Sequence, residues 1–301
     1  MTSESIRGLW HYPVKSMRGE EADEVELGPG GLFGDRAYGF LDVETGRLVS
    51  AKRPKRFGAL LNCRARFVAA PSADAPTPPI EVTFPDGTVV CGDRTDGAEL
   101  TRRVTELLGR EVRLISSAPD GLTFETEPAT EGDPAGQLPV AMAAPGTLLD
   151  LAALHILAAN TLRRLAAEYP SSEWDPRRLR PNMLIDAGDM PADEDEWIGC
   201  DLHLGADTVI HVVGPTPRCV MTTLAQAGLP RDPGVLKTIA SIGLKQIEPL
   251  GQFACAGSYA EVVTPGVVRR GDQVRIERVQ PREGVLAATI DTIAAALAAG
   301  P

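Results

Sequence analysis

The chain has 301 residues, 43% hydrophobic and 24% charged, the balance of a soluble globular protein with apolar material for about two cores. Its 30 Lys and Arg against 41 Asp and Glu leave a net charge of −11, which excludes a nucleic-acid partner unless the cations gather in one patch. Five cysteines (Cys63, Cys91, Cys200, Cys219, Cys255) show no Cys-x-x-Cys pair, so reduced thiols and a cytoplasmic setting are expected.

In chain order, Ile6–Trp10 reads as a first strand, followed by the Pro-set turn Tyr12-Pro13-Val14-Lys15-Ser16. Val25-Glu26-Leu27 alternates and is broken by Gly28-Pro29-Gly30-Gly31, which is turn chemistry rather than a dinucleotide fingerprint. Gly39–Val43 is a strand, with a hairpin turn over Glu44–Arg47. The basic run Lys52-Arg53-Pro54-Lys55-Arg56 reads as a solvated face. Leu60–Val68 and Ile80–Phe84 are further strands, the second closed by Pro85-Asp86-Gly87-Thr88. Ala98–Leu108 has an amphipathic stripe, a capping-box pattern from Asp96 and Glu99, and a stop at Gly109, and so predicts a helix before the strand Val112–Ile115.

From Ala118 to Pro145 the composition shifts to Pro, Gly, Glu and Asp, marking a linker between two units, 1–117 and 118–301. The leucine spacing over Leu148–Ala167 predicts one long helix. Met183–Ile185 is a strand, the acidic turn Asp193–Trp197 follows, and Leu202–Leu204 with Thr208–Val213 forms a hairpin that delivers the chain to Cys219. Leu224–Leu250 is loop with one short helix, Tyr259–Ile276 a meander, and Leu286, Ile290, Ile293 and Leu297 mark a final amphipathic helix. The pattern is α+β and β-rich rather than alternating βαβ. The N-terminal residues lack the apolar core of a signal peptide, and no stretch reaches the length of a membrane span.

The four histidines show no zinc-type spacing. Cys219, beside Arg218 at a strand end, is placed to be a thiolate, hence a soft metal ligand or a nucleophile; without that context a single cysteine reads first as a small core hydrophobe. Cations and neutral donors recur at turns: Lys15 with Ser16, Arg36, the Lys52–Arg56 run, Arg180 with Asn182, and Arg218. Arginine forks, a lysine point charge and neutral hydroxyl or amide donors are the groups that hold a phosphate, so these turns could converge on one anion.

The order Tyr-Pro-Val-Lys-Ser-Met (Tyr12–Met17), Gly-Asp-Arg (Gly34–Arg36), Arg-Pro-Asn (Arg180–Asn182), Glu-Asp-x-Trp (Glu194–Trp197) and Arg-Cys-x-x-Thr-Thr (Arg218–Thr223) resembles the MOSC family. The branch it resembles joins a MOSC N-terminal β-barrel domain to a MOSC domain, as in the mitochondrial amidoxime reducing component and its bacterial relatives. The Tyr259–Asp272 meander also fits.

The resemblance implies an N-terminal β-barrel-like domain, a MOSC β-barrel domain with peripheral helices, and a molybdenum cofactor, a phosphate-bearing pterin whose dithiolene holds the metal. Cys219 matches the protein ligand to molybdenum. Lys15, Ser16, Arg36, Thr161, Arg180, Asn182 and Arg218 match cofactor-holding positions, and Asp195 is a candidate proton donor or hydrogen-bond partner. Relatives often carry Cys-Ser-Arg-Cys where this chain has Thr216-Pro217-Arg218-Cys219, so the second cysteine alone is kept. The implied activity is reduction of small N-hydroxylated or N-oxide compounds with electrons from a separate donor protein, with no nucleic acid and no membrane. Persulfide sulfur transfer at Cys219 and non-catalytic carriage of the cofactor are the competing readings.

Overall fold

A computed structural model describes residues 4–128, 140–186, 188, 194–280, 282 and 284–298. Asp193 of the acidic turn and part of the expected linker lie outside them. The first half opens with strands β1 (Ser5–His11), β2 (Glu20–Ala22), β3 (Glu24–Gly28), β4 (Gly31–Leu32) and β5 (Gly39–Asp42). The short helix α1 (Pro54–Phe57) follows, started by proline at a position whose N–H needs no partner. Next come β6 (Arg64–Phe67), β7 (Ile80–Thr83), β8 (Val89–Gly92), helix α2 (Ala98–Leu108) and β9 (Val112–Ile115).

Helix α2 is bounded as its stripe predicts. It buries Leu100 and Val104 and stops at Gly109, which takes the left-handed conformation at φ 61°. Its expected cap does not form: Gly97 is the N-cap and no side chain bonds there. Asp93 instead accepts the backbone N–H groups of Thr95 and Asp96, so a local turn competes for the donors a capping box would use. The predicted strand over Leu60–Val68 is shorter, because Gly58–Asn62 forms a 3-10 turn before β6.

Beyond β10 (Thr123–Glu125) and its antiparallel partner β11 (Val140–Met142), the expected long helix is divided. Leu154–Ala158 is a strand, β12, and only Ala159–Glu168 is helical, α3. The physical reason is burial on both faces: all five β12 residues are inside, and a sheet-centre strand reads as a continuous apolar run rather than as alternation. Then follow α4 (Pro176–Leu179), β13 (Met183–Asp186), β14 (Cys200–Leu204), β15 (Thr208–Pro217), α5 (Gly234–Ile242), β16 (Leu244–Ile247), β17 (Gly251–Thr264), β18 (Gly266–Arg269), β19 (Val274–Arg278) and α6 (Val285–Ala298).

The largest sheet runs β19-β14-β15-β17-β12-β13-β1-β2, with β16 also on β17. The protein is β-rich with peripheral helices, as expected, and among the described residues this pairing path does not close on itself. Only β12 and β13 pair in parallel within it, joined by α3 and α4. Strand β1 pairs with β13, and β3 pairs with β18, so the first residues of the chain lie in sheets completed by the last third. One core is accordingly built from Ile6, Leu9 and Val25 with Ile156, Ile185, Leu202 and Ile210, while a second gathers Val14, Tyr38, Phe40, Val82, Leu100 and Val112. Each such buried aliphatic side chain contributes about 1.5–3 kcal/mol. The turn after β1 lies between these cores, and it carries Lys15 and Ser16.

Candidate cofactor site

One cavity is lined by Lys15, Ser16, Arg36, Arg180, Asn182, Arg218 and Cys219, drawn from segments spread over two hundred residues. It also takes in Lys52, Asp150, His155, Arg178, Thr216 and Tyr259. Six of these lining side chains are cationic and one is anionic, in a chain whose net charge is −11. Such a concentration of positive charge in a recess favours negatively charged groups there.

Backbone conformation singles out the same place. Among the described residues the only non-glycine residues with positive φ are Ser16 (70°), Arg36 (47°) and Arg180 (55°), and all three line the cavity. A left-handed non-glycine residue costs on the order of 1–3 kcal/mol, and such strain persists where surrounding contacts over-determine it. Those contacts are visible. Ser16 Oγ accepts the Ala51 N–H at 3.0 Å. The Arg36 N–H donates to Tyr12 O at 2.8 Å, and Arg180 caps α4 with its N–H on Pro176 O.

Tyr12 holds two of the arginines. The Arg36 guanidinium lies 4.4 Å and that of Arg180 4.3 Å from the centre of its ring, while its hydroxyl donates to Pro181 O at 3.1 Å. Burial pushes the Tyr12 phenol up to about 12. The Asp35 carboxylate pairs with Arg36 and accepts the Tyr12 N–H, fixing one edge of this stack. Burial, and then the charge of Arg36, bring the Arg180 guanidinium down to about 10, so both arginines are cationic at neutral pH.

On the opposite wall Asp150 bridges two lysines, 2.7 Å from Lys15 Nζ and 2.9 Å from Lys52 Nζ, with both ammonium groups over the Phe124 ring. Burial pushes the Asp150 carboxyl up, but the two ammonium charges outweigh it and hold it well below the usual carboxylate range. Lys15 also donates to Leu148 O at 2.6 Å. Burial lowers its ammonium, with Asp150 opposing.

Cys219 is partly exposed in the cavity, at the start of the 3-10 turn Val220–Thr223. The expectation that Arg218 makes it a thiolate is corrected: burial raises its pKa, and Lys52, not Arg218, is the stronger cation opposing that rise. The Arg218 side chain is engaged elsewhere. Its Nε donates to Ala256 O at 2.8 Å, Nη1 to Leu179 O at 2.9 Å, and Nη2 to His155. Asn182 is likewise occupied with backbone, its Oδ1 accepting the His155 N–H at 3.0 Å. Arg178 spends its guanidinium on the carbonyls of Glu173, Thr222 and Pro230.

Two expected site residues lie outside the cavity. The Thr161 hydroxyl donates to Glu194 Oε2 at 2.7 Å in the interior. Asp195 forms an ion pair with Lys245 at 2.8 Å. It is the preceding residue that turns inward: Glu194, 2% exposed, also accepts the N–H groups of Ala158 and Gly257 at 2.8 and 2.6 Å. Asp150, His155, Arg178 and Tyr259 are lining residues to which sequence reasoning gave no place in the site. Lys52 carried a signal as the first member of the basic run.

Among the described residues no three His, Cys, Asp or Glu side chains gather as a metal site. A metal here would rest on one protein thiolate together with a ligand that brings its own donors. No helix among them is long and apolar enough to cross a membrane.

The fold and site together are those of a β-rich chain with a cationic cavity and, among the described residues, a single thiol in its wall. The chain is a MOSC-family protein: it carries a MOSC N-terminal beta barrel domain over residues 3–67 and a MOSC domain over residues 146–275. It is 26% identical over 255 residues to the molybdenum cofactor sulfurase of Danio rerio, covering 78% of this chain but only 30% of that protein. It is 24% identical over 293 residues to mitochondrial amidoxime-reducing component 1 of Homo sapiens, covering 90% of this chain and 82% of that one. The crystal structure of the YUAD protein from Bacillus subtilis aligns over 93% of this chain and 98% of that chain at 13% identity, with a TM-score of 0.43.

Proposed function

We propose that this cavity binds a molybdenum cofactor and that the protein is an oxidoreductase that reduces N-hydroxylated or N-oxide compounds, receiving electrons from a separate protein. The observation that carries the reading is the convergence of Lys15, Arg36, Arg180 and Lys52 with Cys219 on one recess. The residues fit the group. Cations and the Ser16 hydroxyl suit a terminal phosphate, and a thiolate suits a soft metal. The Thr216 hydroxyl, in a residue only 3% exposed on the cavity wall, has no protein partner, the condition expected of a group completed by a ligand.

Bound there, the cofactor would supply two-electron chemistry that, with two protons, converts an N-hydroxyl group into N–H and water, or an N-oxide into the free amine and water. The chain's part is binding and orientation. The Tyr12-stacked arginines and the lysine pair neutralise the anion, and the partly exposed Cys219 thiol loses its proton on ligation, as metal binding requires. Sulfur transfer is the second reading, favoured by the similarity to a molybdenum cofactor sulfurase.

The purified protein is assayed for molybdenum, pterin and reduction of a model amidoxime with an artificial electron donor. Turnover that is lost in Cys219→Ala supports the reductase. Cofactor retention without turnover supports carriage, and sulfur on Cys219 without molybdenum supports transfer.

A further inference from the structure

One cavity side chain joins the segments that bear the arginines. His155 is the second residue of β12, its backbone N–H donating to Asn182 Oδ1 at 3.0 Å and its carbonyl accepting the Asn182 N–H at 2.7 Å. On the ring, Nδ1 lies 3.2 Å from Arg180 O and Nε2 receives Arg218 Nη2. A carbonyl can only accept and a guanidinium can only donate; Arg218 Nη2 also lies 3.2 Å from Nδ1, so its closer approach to Nε2 is what assigns the lone pair there and leaves the proton on Nδ1 toward Arg180 O. Burial, followed by the Arg218 charge, keeps the ring neutral by lowering its pKa well below the ordinary value.

The neighbourhood is shaped for this ring. Gly257 has φ +87°, and a Cβ there would collide with His155 Nε2. Tyr259 meets the ring edge-on at 6.4 Å. Arg218 has three of its five N–H groups committed, to Ala256 O, Leu179 O and His155, which leaves one on each terminal nitrogen. The His155 contact is its one side-chain acceptor among those bonds.

We propose that His155 is a positioning residue: through its Nε2 lone pair it aims the Arg218 guanidinium, so that the arginine presents charge to the anionic group of the cavity's ligand. This rests on the cavity being an anion site, as argued for the cofactor, but not on the redox activity. Asparagine places an amide near Nδ1 and keeps the donor toward Arg180 O, whereas glutamine places its oxygen near Nε2 and keeps the acceptor for Arg218. The two variants therefore separate aim from packing.

The test uses the cofactor-free full chain and inorganic phosphate as probe, with titration calorimetry of the wild type, His155→Asn and His155→Gln, and melting temperatures of all three. Losing an orienting partner is expected to weaken phosphate binding about tenfold in His155→Asn, with His155→Gln restored to near the wild-type affinity. Equal affinity in all three, or equal weakening in both variants tracking their melting temperatures, overturns the proposal, as does a wild type that binds no phosphate. Phosphate binding by a wild-type protein that never acquires molybdenum sinks the cofactor reading and leaves this test intact.

Discussion

Ser16 and Arg180 come from opposite halves of the chain, yet both hold left-handed backbones, at φ 70° and 55°, on the rim of the cavity that Cys219 lines. Strain at two converging turns is a structural cost held in place by the contacts around them, and it keeps the polar groups of both turns in the cavity wall.

Arg180→Gly separates the two consequences. Glycine relieves the positive φ, worth on the order of 1 kcal/mol, but the variant loses the stack on Tyr12 and the Nη1 bond to Met17 O at 2.8 Å. These oppose, so the melting temperature is expected to move by less than about 4 °C, while phosphate affinity falls about tenfold or more. Thermal melts and calorimetry on the same preparation check it.

Asp150→Asn removes the carboxylate that holds Lys15 and Lys52 together. The freed ammonium groups repel each other and have lost their counter-ion. Phosphate is therefore expected to bind about three- to tenfold more tightly in the variant, at a stability cost of about 1–2 kcal/mol because the carboxylate is partly exposed. Titration of phosphate into both proteins at one ionic strength reads the sign.

Asp42 gives the pH dependence. Burial raises its carboxyl, but Arg110 Nε at 2.6 Å and the N–H groups of Glu44 and Thr45 outweigh that and depress it. A depressed folded-state pKa stabilises fully above about pH 4, the unfolded value, and the contribution disappears as pH falls through the folded value. Asp42→Asn is thus expected to be about 2–3 kcal/mol less stable at pH 7, with the gap closing progressively below pH about 4, as denaturant titrations at several pH values would show.

Gly257→Ala puts a methyl group against the His155 ring in a backbone conformation that alanine resists. A loss of at least about 2 kcal/mol is expected, together with loss of bound cofactor. Unchanged melting would show that the β17 backbone at this point is not as constrained as its geometry requires.

Much of the site was legible because its turn residues are unusual in type and order: Lys15-Ser16, Arg36, Arg180 and Cys219 stand out as polar punctuation between apolar runs. Lys52 was legible only as one of a basic run, and Asp150 was not, since an acid in a loop reads as solvated until long-range pairing brings it against two lysines. Thr161 and Asp195 lie outside the cavity for a related reason. A 3-10 turn points adjacent acids in different directions, and Glu194, not Asp195, took the buried place that Thr161 faces. The long helix over Leu148–Ala167 failed at β12, where burial on both faces erases the period that distinguishes strand from helix.

Whether Cys219 ligates molybdenum in the proposed site is read by metal analysis of the wild type against Cys219→Ala. Wild-type protein from cells supplied with molybdate is expected to hold about one molybdenum per chain and the variant less than about a tenth of that, at equal melting temperature of the cofactor-free forms. Equal molybdenum in both proteins, or none in the wild type, would contradict that ligation.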